Sequence, residues 1–240
     1  MPGKSPSLKR PMSVPGNRYP MPFTRVELAV MSIVEGRLAI LLGLRAGPPA
    51  RGQWALPGGA LRIDLDASLE AAAQRVARER LTVDLPFLRQ LQTVGGPARD
   101  PRAPWALSVV YRALVPADAI APVAGKRLEA LSWVAVDELA RHGTIAFDHR
   151  SLIDAAVQTT RSDIAQLHLP FEYLPPSFTL GELQACCEAF LGHGLDKSSF
   201  RRKLRDRQLL VELEGEMRTG PFRPAQLYRK RTEGEPPGSA

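Results

Sequence analysis

The sequence predicts an α+β protein in two units, a sandwich of strands and helices followed by a winged helix-turn-helix. Three observations point there. Two apolar, β-branched-rich runs, VELAVMSIV from Val26 and RLAILLGL from Arg37, flank a Glu35-Gly36 turn and read as a hairpin of buried strands. An Ala-rich helix, LEAAAQRVARERL, interrupts a series of strands. Near the C-terminus, two helical stretches joined by a Gly turn precede two short strands, and the excess positive charge of the chain lies there.

Residues 1–22 are Pro-rich and basic with little to bury, the composition of a disordered arm. No apolar stretch follows their positive charges, so they do not read as a secretory signal. No run in the chain reaches the roughly 18 apolar residues of a membrane span. The first domain is expected over 23–160. After the hairpin come a loop, RAGPPARGQ, and then WALPGGAL, where the Gly58-Gly59 pair lets backbone pass close to a ligand or another strand. Ser68 is a good N-cap for the Ala-rich helix. FLRQLQTV, WALSVVYRALV and LEALSWVAV read as strands, and AFDHRSLIDAAVQTTRSDIAQ as a helix.

A proline-bearing linker is expected over 161–178, the second domain over 179–231 and a disordered tail over 232–240. The only two cysteines, Cys186 and Cys187, are adjacent, and helix neighbours point about 100° apart. They offer no disulfide framework, which fits a reduced, cytoplasmic setting. The four histidines are scattered and form no metal-ligand pattern.

In the second domain, Thr179 with Glu182 fits a capping box opening LGELQACCEAFLG, and Gly192 and Gly194 end that helix. A second helix is expected from Lys197 to about Arg207, with Phe200 and Leu204 facing inward. Arg201, Arg202, Lys203 and Arg205 then face outward, and Lys197, Ser198 and Ser199 form the first turn. LLVELEG and AQLYRKR read as the strands of a wing around a basic loop containing Arg218 and Arg223, with Arg229 on the return strand. Lys197 to Arg231 hold eleven Lys/Arg against four Asp/Glu, a surplus equal to the +7 of the whole protein. Such density suits a phosphate backbone, because each cation placed on a phosphate releases condensed counterions. The second helix would enter the major groove of a duplex, and arginine can bridge two guanine acceptors or grip a phosphate. A solvated basic face is the bland alternative.

WALPGG, followed by a helix starting Ser68-Leu69-Glu70, resembles the Nudix box, G-x5-E-x7-R-E-U-x-E-E-x-G-U with U aliphatic, whose glutamates hold Mg²⁺ against a diphosphate. Arg75 matches the box arginine and Glu79 one glutamate. Val76 and Arg80 stand for the other two of the R-E-U-x-E-E segment, Thr82 for the glycine, and a two-residue insertion, through IDLD, separates Gly59 from the helix. A single carboxylate beside an arginine cannot assemble a magnesium cage. The resemblance therefore implies a Nudix α/β/α sandwich with no catalytic and no metal-ligating residue. Glu79 also reads as an i,i+4 ion-pair partner of Arg75.

Over most of its length, from about Val26 to Arg231, the chain resembles the NrtR family of Nudix-related transcriptional regulators of NAD metabolism. The matching pieces are WALPGG, ARDPR at 98–102, SVVYRAL, AFDH at 146–149, FTLGELQ, LDKSSFRRK and RPAQLYR at 223–229. The resemblance implies a homodimeric repressor that binds a palindromic operator in double-stranded DNA. It needs no cofactor, and its Nudix domain senses an effector such as ADP-ribose. By position, Arg45, Trp54, Gly58, Gly59, Arg75, Glu79, Arg99 and Arg102 are the effector-binding candidates, with Trp54 able to stack on a base or to pack in the core. The residues leave open a hydrolase of nucleoside diphosphate derivatives with an appended DNA-binding module, and a regulator sensing a sugar or phosphosugar.

Overall fold

The computed structural model describes residues 21–97, 99–219, 224–232 and 234–235. The expected N-terminal arm up to residue 20, most of the expected tail, Ala98 of the ARDPR motif and Arg223 lie outside the described residues.

The first unit contains β1 (Phe23–Val34), β2 (Arg37–Arg45), β3 (Trp54–Ala55), β4 (Gly58–Ala60), α1 (Leu69–Leu81), β5 (Arg89–Gly96), β6 (Ala106–Leu114), β7 (Leu128–Ala135) and α2 (His149–Ala165). Its seven strands make one mixed sheet, β3-β2-β1-β6-β5, with β4 alongside β1 and β7 alongside β2. β1 and β6 run parallel, Val26 opposite Val109 and Leu28 opposite Tyr111, while β1 and β2 form the expected antiparallel hairpin. Successive side chains of a strand point to opposite faces, and β1 is apolar on both. Val26, Leu28 and Val30 join Ala72, Ala73, Val76, Ala77 and Leu81 of α1 in one core. Ala29 and Met31 join Leu152, Ile153, Ala156 and Val157 of α2 in the other. The result is an α/β/α sandwich.

α1 begins where expected, the Ser68 hydroxyl accepting from the Ala71 N–H at 3.1 Å, and ends in a left-handed Thr82 at φ 60°. Its last carbonyls are not left to solvent. Lys126, Gly125 and Val123 donate backbone N–H groups to the carbonyls of Glu79, Arg80 and Leu81, each at 2.9 Å. A side chain on Gly125 would meet the Glu79 carbonyl at 2.2 Å, so only glycine lets this loop lie so close.

The second unit contains β8 (Phe178–Thr179), α3 (Leu180–Leu191), α4 (Lys197–Asp206), β9 (Leu210–Arg218) and β10 (Ala225–Lys230), with the small sheet ordered β8-β10-β9. The capping box is formed: Thr179 Oγ1 accepts from the Glu182 N–H at 3.1 Å and the Glu182 carboxylate accepts from the Thr179 N–H at 2.7 Å. A left-handed Gly192 at φ 80° closes α3. β9 runs three residues further than LLVELEG, to Arg218, through a register shift beside a positive-φ Gly215.

The stretch expected as a linker is largely structured. α2 continues to Ala165, a 3₁₀ turn spans Phe171–Tyr173, and β8 precedes the capping threonine. Apolar residues hold it down. Leu169 is buried, and Leu167, Phe171, Tyr173 and Leu174 pack against the core beneath α2. The Tyr173 hydroxyl accepts from the Ile33 N–H at 3.0 Å, tying the segment to β1. That core then continues without a break through Leu183, Cys186, Cys187 and Phe190 of α3 to Phe200 and Leu204 of α4. Both thiols are buried and unpaired, and burial pushes that of Cys187 up to about 12.

Because one core serves both units, Phe190→Ala, at a fully buried position, should cost about 3–5 kcal/mol. The three tryptophans all lie before residue 134. Denaturation followed by their fluorescence should nevertheless report the lowered midpoint of a substitution made in α3.

Candidate effector cleft and nucleic-acid interface

A narrow cleft, open to solvent and with about 20 Å³ of space for water-sized groups, lies over the end of β2, β4 and the C-terminus of α1. Five arginines line it, Arg25, Arg45, Arg80, Arg102 and Arg127, beside Ala55, Leu56, Gly58 and Leu128. Each reaches it from a different element. Arg25 lies on β1, its Nε donating to the Glu27 carboxylate at 2.7 Å. Arg45 ends β2, donates to the Pro49 carbonyl at 2.8 Å and stands over the Phe147 ring at 5.2 Å. Arg102 forks onto Asp100 at 2.8 and 2.5 Å and covers the Phe23 ring. Arg80, on the inner side of α1, donates to the Gly58 and Lys126 carbonyls, both at 2.8 Å. The loop that closes α1 carries Arg127 in a left-handed conformation, φ 66°.

Glu27 and Asp100 therefore compensate Arg25 and Arg102, while Arg45, Arg80 and Arg127 have no carboxylate within ion-pair distance among the described residues. The charges act on one another. Burial, followed by repulsion from Arg25 and Arg102, lowers the pKa of Arg45. Burial likewise lowers that of Arg80, and Arg127 and Arg25 add to the effect against a partial offset from Glu79. Burial works against the charge of Arg25, but Glu27 and Asp100 more than offset it, and its pKa is raised. A concave site with surplus, partly desolvated guanidinium groups is suited to an anion, above all one offering several phosphate oxygens to the planar fork of arginine.

Of the sequence candidates, Arg45, Gly58 and Arg102 line this cleft and the others do not. Gly59 sits beneath it, where a Cβ would come within 2.9 Å of Val76. Arg75 is drawn away by Asp66, which accepts from it at 2.7 and 2.8 Å, and by the Ala60 carbonyl at 2.9 Å. Its expected ion pair with Glu79 is present at 3.4 Å. Asp66 comes from the IDLD insertion, so that departure from the box serves to hold Arg75. Trp54 packs against the α2 core with its ring 4.8 Å from His142. Arg99 is held by Asp148 at 2.9 and 3.0 Å and by the Ser108 hydroxyl. Sequence reasoning missed Arg25, Arg80 and Arg127. Arg80 was visible as a charge reversal in the box, but nothing marked the other two.

The residues do not fit the magnesium site of the Nudix box. Val76, at the position of one box glutamate, is in the apolar core, and Arg80 fills another with positive charge. Glu79 is engaged by Arg75, and Glu70 accepts from the Tyr111 hydroxyl at 3.0 Å. Glu27 is buried beside Arg25, one of its oxygens without a hydrogen-bond partner, and a lone carboxylate makes no cage. No group of three or more His, Cys, Asp or Glu able to hold a metal is found among the described residues.

α2, 17 residues long, runs from the cleft side of the molecule toward the second unit. His149, the first residue of α2, is buried, and its Nδ1 accepts from the Leu56 N–H at 3.0 Å. Burial lowers its pKa, so the ring is neutral and the proton sits on Nε2. The ring thus packs the start of α2 against the backbone at Leu56.

α4 presents the expected cationic face. The Asp196 carboxylate caps it, accepting from the Ser199 N–H at 2.8 Å, and Phe200 and Leu204 seat it in the core. Lys197, Ser198, Arg202, Lys203 and Arg205 are exposed, and Ser199 and Arg201 half-buried. Lys197, Arg202, Lys203 and Arg205 form no ion pair among the described residues, so their charge is free for a ligand. The wing cations are more committed. Arg218 pairs with Glu182 at 3.4 Å and donates to the Ser177 carbonyl at 3.1 Å. Arg229 forks onto Glu235.

The architecture is that of a Nudix domain joined to a DNA-binding winged helix. The NUDIX domain profile matches residues 24–156, and that of the NrtR DNA-binding winged helix domain matches residues 170–230. The chain is 36% identical over 211 residues, 88% of its length and 83% of the relative's, to the ADPR responsive transcriptional repressor NtrR of Acinetobacter baylyi. It superposes with a TM-score of 0.69 and 32% identity on Shewanella oneidensis NrtR complexed with a 27mer DNA, over 87% of this chain and 93% of that one. It also matches the NUDIX domain of that NrtR complexed with ADP ribose, with a TM-score of 0.55 and 30% identity, over 59% of this chain and 90% of that one. The chain belongs to the NrtR family.

The Asp100–Arg102 fork gives a pH-dependent prediction. Arg102, by its hydrogen bonds, holds the Asp100 carboxyl down from 3.8 to about 2. Its contribution is fully present above the unfolded value and is lost as pH falls through the folded one. Asp100→Asn should cost about 1.5–3 kcal/mol at neutral pH. The difference from the parent should vanish in urea titrations as the pH is taken from about 3.8 down past about 2.

Proposed function

We propose that this protein is a homodimeric, DNA-binding transcriptional repressor of NAD-metabolism or linked genes, released from its operator when a nucleotide of the ADP-ribose type enters the arginine cleft. The observation that carries this reading is the pairing of a surplus-cation cleft in one unit with an unpaired cationic helix in the other, on one continuous core. The similarity to an ADPR responsive transcriptional repressor, to an NrtR complexed with DNA and to its NUDIX domain complexed with ADP ribose supports it.

α4 occupies the major groove in this reading. Arg202 and Arg205 reach base edges or phosphates, while Lys197, Lys203, Arg201 and the two serines of the first turn hold the backbone. Arg218 and Arg229 lie on the two strands of the wing and turn to flanking phosphates, the role the sequence reading also gives Arg223. Two copies read a palindrome only when their recognition helices are one half-site spacing apart. An effector that favours a different arrangement of the copies lowers DNA affinity by its differential affinity for the two arrangements.

α2 is the element placed to couple the two sites. Its N-terminal end follows Phe147, which lies under Arg45, and Asp148, which Arg99 grips. Its other end is fastened to β6 by Arg112, which donates to Thr160 at 2.8 Å and Asp163 at 2.6 Å. Ile164 shares a core with Phe200 and Leu204 of α4. No cofactor is required, and no helix among the described residues is long and apolar enough to cross a membrane. Hydrolysis is not part of this function, since Val76 and Arg80 replace two ligands of the box. A pyrophosphatase assay with Mg²⁺ or Mn²⁺ should therefore show no turnover of ADP-ribose.

Arg202→Ala should weaken specific operator binding by about 1–3 kcal/mol in fluorescence anisotropy, and Lys203→Ala should lower the salt slope by about one. Saturating ADP-ribose should release parent protein from operator DNA. Unchanged affinity in its presence would remove the effector from this reading, and an Arg202→Ala protein that binds like the parent would remove the recognition face.

A further inference from the structure

Resting on the reading of the cleft as a nucleotide site, we propose that it binds the diphosphate of its ligand without a divalent cation, Arg80 supplying the positive charge that a box glutamate would recruit as metal. A carboxylate at position 80 would lie at the cleft wall and attract a cation. The guanidinium there does the opposite. It is fixed by two carbonyls, Gly58 and Lys126, each at 2.8 Å, and needs no counter-carboxylate to hold its place. Arg45, Arg25, Arg102 and Arg127 surround the same space.

A dication entering this cluster would meet five guanidinium groups among the lining residues, and the nearby carboxylates Glu27 and Asp100 are buried and paired with Arg25 and Arg102. The diphosphate, by contrast, offsets the mutual repulsion that adds to burial in lowering the pKa of Arg45 and Arg80. The chemistry selects two adjacent phosphates over one, because three uncompensated guanidinium groups on separate elements exceed what a single phosphate satisfies. Arg127 is placed for this by the loop that caps α1, so the helix terminus and the third guanidinium are held by one set of hydrogen bonds.

The test is calorimetric titration of the full-length protein with ADP-ribose in excess EDTA and again in millimolar Mg²⁺, with inorganic pyrophosphate and ribose 5-phosphate as competitors. The expected result is the same affinity in both buffers, with competition by pyrophosphate and none by ribose 5-phosphate at equal concentration. Arg80→Glu should weaken metal-free binding by about tenfold or more. Because Arg80→Glu puts a carboxylate at a buried position, Arg127→Ala at an exposed one gives a reading independent of folding and should lose about tenfold as well.

Binding that EDTA abolishes and Mg²⁺ restores, or full affinity in both variants, overturns the proposal and leaves the repressor reading standing. Absence of ADP-ribose binding in both buffers overturns the proposal together with the effector assignment beneath it.

Discussion

The continuous apolar core along α2 is the constraint on which the rest of this protein depends. Leu152, Ile153, Ala156 and Val157 lie against β1, and Ile164 belongs to the same core as α3 and α4. Burying one such side chain stabilises by about 1.5–3 kcal/mol, so the packed face outweighs any one polar contact on its surface. Two domains joined by a free linker would move independently. Here Tyr173 is hydrogen-bonded to β1, and its ring meets Phe190 of α3 edge-on at 5.1 Å between centroids. A change at the cleft therefore meets a packed body, which shifts between arrangements and does not deform gradually.

Arginines in this chain fall into two groups with opposite physical logic. Arg75, Arg99 and Arg112 are each gripped by an aspartate, Asp66, Asp148 and Asp163, and serve to fasten the IDLD insertion, the RDPR loop and α2. Their charge is spent on structure. Arg45, Arg80 and Arg127 in the cleft, and Arg202 and Arg205 on α4, have no such partner among the described residues. Leaving guanidinium groups as buried as those of Arg45 and Arg80 uncompensated costs stability, and clustering exposed ones adds repulsion, so the arrangement makes sense where an outside anion offsets the charge. The two ligands of the proposed function, a diphosphate and a phosphate backbone, are both of that kind.

The box helix keeps its fold where its residues depart from the Nudix pattern. Val76 is core at one box position, packing over Gly59, and Arg80 at another donates to backbone carbonyls. The helix keeps its N-cap at Ser68, and its C-terminal carbonyls are taken up by the loop at Val123–Lys126. What remains is the shape of a nucleotide-binding fold with the sign of its local charge reversed.

Much of this was legible in the linear order of residues. The continuous apolar run of β1, the Ser68 and Thr179 caps and the Phe200–Leu204 stripe are local patterns set by neighbours within a turn or two, which is why both helices of the winged helix and the β1–β2 hairpin could be placed from sequence. The charge surplus in the last helix and wing is likewise a local fact. What sequence could not assign was the allocation of arginines. Whether Arg75 faces a ligand or Asp66, whether Arg99 is free or held by Asp148 across 49 positions, and whether Arg25 and Arg127 share a wall are decided by which elements fold together. The welded linker was hidden for the same reason, since Tyr173 finds its partner 140 positions away. Sequence alone determined the elements and the kind of chemistry. Tertiary structure decided which charges are neutralised at home and which remain for a partner, because electrostatic pairing depends on distance in space and not along the chain.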